Sequence, residues 1–97
     1  MSRRRSKLEI ILSILSVVRD GKDKTTSITY ATNTTWMRTQ IMLSDLVKQG
    51  LLELRIATPA RRRYTITEKG VNVLDYFEKA NDVLPKDVYI ANVTFKR

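Results

Sequence analysis

The chain has no cysteine and no histidine among its 97 residues. Disulfide staples and thiolate zinc sites are therefore excluded. So is histidine as a general base or metal ligand, which closes off ordinary triad, zinc-hydrolase and thiol chemistry. Glycine is scarce, at three residues, and none of the three sits in a glycine-rich phosphate loop. The carboxylates are scattered. Together these absences argue against an enzyme and imply neither cofactor nor metal. No apolar run approaches the ~20 residues that span a bilayer; the longest, Leu8 to Val18, is broken by Glu9, Ser13 and Ser16. The opening Met-Ser-Arg-Arg-Arg is charged but leads to no small-residue cleavage motif, so the expectation is a cytoplasmic protein without a membrane partner.

What is present is positive charge. The net charge is +8, and seven of the eighteen basic residues fall in two short stretches, Arg3, Arg4, Arg5 and Lys7, and Arg61, Arg62 and Arg63. The remaining eleven are nearly balanced by ten acidic residues. Two basic clusters on a near-neutral body suggest two contact points for a polyanion; solvated surface charge is the plainer alternative. Hydrophobic residues at 42% and charged residues at 29% fit one folded domain.

Apolar residues at Leu8, Ile11, Leu12, Leu15 and Val18 have helical spacing, and Ile10, Ile14 and Val17 widen the stripe. Ser6 and Glu9 form a capping box, and Gly21 supplies the stop. Residues 25–32 suit a short helix around Ile28 and Ala31, although their threonines are poor helix formers. Asn33 can adopt a left-handed turn, and Thr35 is an N-cap for a helix over about 36–49. On that helix Trp36, Thr39, Met42, Leu43, Leu46 and Val47 fall on one face, and Met37, Arg38, Gln40, Ile41, Ser44 and Lys48 on the other. Gly50 ends it. Leu51–Ile56 and Tyr64–Thr67 read as strands joined by a basic loop, Ala57 to Arg62. Thr67 caps a last helix with two apolar stripes, one of Val71, Leu74, Phe77 and Leu84, the other of Val73, Tyr76, Ala80 and Val83, stopped by Pro85. The tail alternates from Val88 to Phe95, which suggests an extra C-terminal strand within 86–97. The fold class is mainly α with a small β-hairpin. The whole chain, 1–97, reads as a single domain: a flexible basic arm over 1–6, a helix-turn-helix and hairpin over 7–67, a helix over 68–84, then the tail.

With this order of elements, the opening Arg-Arg-Ser-Lys-Leu-Glu-Ile-Ile-Leu-Ser-Ile-Leu, Asn33-Thr34-Thr35-Trp36, Leu43 through Leu52, and Arg63-Tyr64-Thr65-Ile66-Thr67-Glu68-Lys69-Gly70 resemble the archaeal winged-helix family of small dimeric chromatin and transcription-regulatory proteins. The match covers roughly residues 3–80. Tyr-Thr-Ile-Thr-Glu-Lys-Gly is its most specific part, and it occurs widely among winged-helix regulators. The resemblance implies binding of double-stranded DNA through the third helix and the hairpin, or wing. It also implies a homodimer through the last helix, which makes Val73, Tyr76, Phe77, Ala80, Val83 and Leu84 the candidate interface. In dimeric members of that family, the resemblance implies, this contact is a long antiparallel coiled coil. Pro85 limits this helix to about 17 residues, roughly 25 Å, so the tail strand either takes over part of the dimer contact or closes the hairpin sheet within one subunit.

The residues supply their own case. A recognition helix needs long polar side chains near its N-terminus on the face turned from the core. Arg38, Gln40 and Ser44 meet this, with Met37 beside them, and Thr35 with the first helical amides can hold a phosphate. Arginine bonds bidentately to guanine and glutamine to adenine; a solvated helix face is the alternative. Ile41 can touch a thymine methyl, or tuck against the hairpin or a partner subunit. Trp36 reads as a packing anchor or as a base-stacking ring. Arg61 and Arg62 sit at the hairpin tip, within reach of a backbone or minor groove; Arg63 can join them or pair with Glu53. Arg3, Arg4 and Arg5 form an arm that follows phosphates. A docking module that binds protein rather than DNA is the main rival. RNA binding has too few aromatics beside basic residues, and no pocket for a small-molecule effector is marked.

Overall fold

The computed structural model describes residues 6–83, with side chains through residue 80. The arm at Arg3, Arg4 and Arg5, Leu84, the strand expected within 86–97 and the side chain of Val83 lie outside the described residues. The elements run α1 (Lys7–Arg19), α2 (Thr25–Thr32), α3 (Trp36–Lys48), β1 (Leu52–Thr58), β2 (Arg61–Ile66) and α4 (Glu68–Val83).

Local chemistry starts and stops each helix. The Ser6 hydroxyl accepts from the Glu9 amide at 3.1 Å while the Glu9 carboxylate accepts from the Ser6 amide at 2.8 Å, the reciprocal box that satisfies two orphan donors of α1. In α2, the buried Thr32 donates its hydroxyl to the Ile28 carbonyl at 2.8 Å, which lets a poor helix former close the helix without burying an unpaired oxygen. Asn33 then takes φ 55 and ψ 49, the left-handed corner tolerated by asparagine. Thr35 accepts from the Arg38 amide at 3.2 Å to open α3.

The core is formed by Ile10, Leu12, Ile14, Leu15 and Val18 of α1, Ile28 of α2, Met42, Leu43 and Leu46 of α3, Leu51, Leu52, Tyr64, and Leu74 of α4. Leu8 and Ala31, expected on buried stripes, are exposed: α1 turns its Ile10–Ile14 side inward, and α2 spends its large aliphatic residue, Ile28, on the core. Leu74 is fully buried, and such burial stabilises by roughly 1.5–3 kcal/mol, which clamps α4 onto the domain. Arg19 pairs with Glu78 at 3.3 Å across α1 and α4. Thr67 ties the start of α4 to the end of α3: its amide donates to the Leu51 carbonyl at 3.1 Å, and its hydroxyl donates to the Gly50 carbonyl at 2.6 Å while accepting from the Gly70 amide at 3.0 Å.

β1 and β2 form one antiparallel pair, with Leu52 opposite Ile66, Leu54 opposite Tyr64 and Ile56 opposite Arg62. An irregularity between Ile56 and Thr58 places Thr58 opposite Arg61. The strands therefore reach almost to the tip, and the turn shrinks to Pro59 and Ala60. Arg61 to Arg63 lie in β2, where sequence polarity had suggested a loop for the first two. Along the outer edge of β2, the Tyr64 amide donates to the Asp23 carbonyl at 2.9 Å, so the loop before α2 flanks the hairpin.

Candidate nucleic-acid interface

The first turn of α3 is exposed on every side. Trp36, Met37 and Arg38 are all open to solvent, whereas Thr39, Met42, Leu43 and Leu46 beyond them are buried. Trp36 is 52% exposed, so the face assignment that placed it with the core is wrong: the covering layer ends at Thr39. Met37 and Ile41 are 68% and 59% exposed, Ser44 and Lys48 are exposed, and Gln40 is half-buried, which matches the outer face expected from spacing.

Two grooves meet at Trp36. One, of about 560 Å³, runs between α3 and the hairpin and is lined by Trp36 and Gln40 on one side, Arg61, Arg62 and Arg63 on the other, and Lys24 with the first residues of α2. The other, of about 430 Å³, lies toward α2 and is lined by Thr29, Tyr30, Thr34 and Trp36; Tyr30 is 90% exposed. Further along α3, Gln40, Ile41, Ser44 and Asp45 line a shallower depression. Ile41 does not tuck against its own hairpin: it stands open.

The three hairpin arginines are not equivalent. Arg63 pairs with Asp23 at 3.1 Å, with both side chains partly exposed. This replaces the pairing with Glu53 read from sequence; Glu53 lies 3.9 Å from Arg55 instead. Arg55 stands directly opposite Arg63, so each of two facing cations has a carboxylate at hand, which limits cross-strand repulsion. Arg61 and Arg62 are exposed on the distal part of β2. Both line the groove that faces Trp36 and Gln40. Thr35, exposed, already accepts the Arg38 amide.

The candidate dimer residues of α4 divide by burial. Val73 and Phe77 pack partly against the core, Ala80 is half-buried, and Tyr76 is exposed with its ring edge-on to Phe77 at 5.3 Å.

Residues 4–84 match a family described as winged helix-turn-helix. The chain belongs to that family. The wing is the β1–β2 hairpin, and α2, Asn33 and α3 are the helix-turn-helix. Among solved structures, this winged helix-turn-helix protein is similar to Sso10a-2, a DNA-binding protein from Sulfolobus solfataricus, at 28% identity over 81% of each chain with a TM-score of 0.68. That neighbour agrees with the archaeal resemblance read from the sequence. MepR, a transcription regulator of the Staphylococcus aureus multidrug efflux pump MepA, is 17% identical over 76% of this chain and 56% of its own, with a TM-score of 0.64. The zinc-dependent MarR family transcriptional regulator AdcR is 17% identical over 89% of this chain and 68% of its own, with a TM-score of 0.52. The last two share the fold. No curated protein matches the sequence. Among the described residues, no helix is long and apolar enough to cross a membrane, and no group of acidic residues could hold a metal.

Lys24 and Tyr30 are the surface residues that sequence reasoning passed over, and Trp36 is one it set on the core face with base stacking as the alternative. For Trp36 a signal existed: it is the first helical residue after a cap, where a helix is most often uncovered at one end.

Proposed function

We propose that this winged helix-turn-helix protein binds double-stranded DNA, with the outer face of α3 in the major groove and the wing on the flanking backbone, and acts as a transcription regulator or chromatin-associated factor. The observation that carries the reading is the wing-side groove, which brings Trp36 and Gln40 of α3 onto one surface with Arg61, Arg62 and Arg63. A duplex needs this combination: base-reading side chains on a protruding helix, and cations set beside it for phosphates. Sso10a-2, by its description a DNA-binding protein, lends support. Arg38, Gln40 and Ser44 read bases in this arrangement, and Arg61 and Arg62 hold phosphates, with Arg3, Arg4 and Arg5 as additional cations. The exposed side of α4 at Tyr76, with Ala80, forms the homodimer contact.

Titration of a fluorescent duplex over a range of salt tests the proposal. Neutralising about four to six phosphates per subunit gives a log–log slope near −4 to −5 per subunit. A docking module would bind weakly, with a flat salt response, and that result would retire the DNA reading.

A further inference from the structure

Met37 and Ile41 lie one turn apart on α3, and side chains so spaced are neighbours on the helix surface. Both are more than half exposed, and neither belongs to the core cluster. Folding leaves them as an apolar strip on the face that otherwise carries Arg38, Gln40 and Ser44. Beside the strip, Gln40, Ile41, Ser44 and Asp45 line a depression of about 370 Å³.

Two features decide what covers the strip. Its surroundings carry more positive than negative charge: Arg38 is on the same helix, and the groove shared by Gln40 also holds Lys24, Arg61 and Arg62, against the carboxylate of Asp45 in the depression. An occupant that satisfies both must present apolar groups recessed within an anionic surface. The major groove does so at thymine, whose C5-methyl group projects between two rows of phosphates and is absent from the other three bases. Gln40, adjacent to Ile41, has the amide that pairs bidentately with adenine, the partner of the same thymines.

We propose that Met37 and Ile41 read thymine by packing against its C5-methyl group, so that the protein prefers A·T-rich duplexes for their methyl groups as well as their hydrogen bonds. This rests on the duplex-binding reading above. The preference is set by α3, whereas Arg61 and Arg62 contribute alike at every sequence.

The test uses the full chain and two mixed A·T-rich duplexes of about 30 base pairs, three helical turns. They have identical sequence, one containing thymine and the other deoxyuridine, which pairs the same way but lacks the methyl group. The thymine duplex binds about fourfold more tightly per contacted methyl, the equivalent of ~0.8 kcal/mol for one apolar carbon removed from water. The double variant Met37→Gln with Ile41→Gln alters only exposed positions, and a circular-dichroism melt verifies its fold. It binds both duplexes equally. Equal binding of the two duplexes by the parent protein overturns the proposal, as does a double variant that keeps the parent's ratio. Loss of self-association in the double variant overturns it too, by assigning the strip to a second copy. Failure of the parent to bind either duplex is a different result, since it removes the duplex-binding reading itself.

Discussion

A Cβ on Gly70 would run into the Leu51 carbonyl oxygen and approach Ile66 Cγ1 at 2.7 Å. The carbonyl cannot step aside, because it accepts from the Thr67 amide at 3.1 Å and lies 3.0 Å from the Thr67 hydroxyl. Two opposing terms act on Gly70→Ala. Alanine improves helix propensity in α4 by about 1 kcal/mol. Overpacking a closed site costs typically 1–3 kcal/mol, and here the obstacle is backbone, so the upper part of that range applies. The expected outcome is a net loss of about 1–2 kcal/mol, read as a lower urea midpoint at unchanged slope. A stabilised variant would mean that α4 docks more loosely than this contact implies.

At the scale of elements, the wing separates its arginines by role. Arg63, bound to Asp23 at 3.1 Å, fixes the hairpin to the loop before α2, while Arg61 and Arg62 project toward the tip. Arg62→Ala is expected to weaken every duplex by a similar factor and to make the salt slope shallower by about 0.9. Arg63→Ala should leave the slope nearly unchanged and lower stability by less than ~1 kcal/mol, as an exposed pair allows. Equal slope changes in the two variants would show that DNA draws Arg63 away from Asp23. This division was not legible in the sequence, where three consecutive arginines look alike. Extended pairing past Ile56 drew them into a strand, and a loop 40 residues upstream selected one of them. Trp36 failed for a related reason: spacing shows which residues share a face, but not where the covering layer ends. What was legible rested on contacts between near neighbours in the chain. The Ser6–Glu9 box, the left-handed Asn33 corner, the Thr35 cap and the outer face from Met37 to Ser44 each depend on a few adjacent residues, and each stands where it was read.

At the scale of the whole molecule, α4 connects charge to assembly. Its 16 residues span about 24 Å at 1.5 Å per residue. Leu74 is committed to the core, and Val73 and Phe77 are partly committed; among the described side chains of α4, Tyr76 is the large apolar one left exposed. A stable interface needs about 800 Å² from each partner, more than Tyr76 and its described neighbours provide, so the proposed homodimer contact through these residues alone is expected to be weak and concentration-dependent. The proposed homodimer would double the phosphates engaged on one duplex, and its salt slope is expected to approach twice the value for one subunit. Tyr76→Glu places a charge at the centre of the contact. Sedimentation equilibrium should then show a dimer dissociation constant at least about tenfold higher, ~1.4 kcal/mol, and the salt slope at low protein concentration should fall by half while α3 and the wing remain intact. A parent protein that stays monomeric at concentrations saturating for DNA would place the second set of cations elsewhere, and would leave Tyr76 without a part in binding.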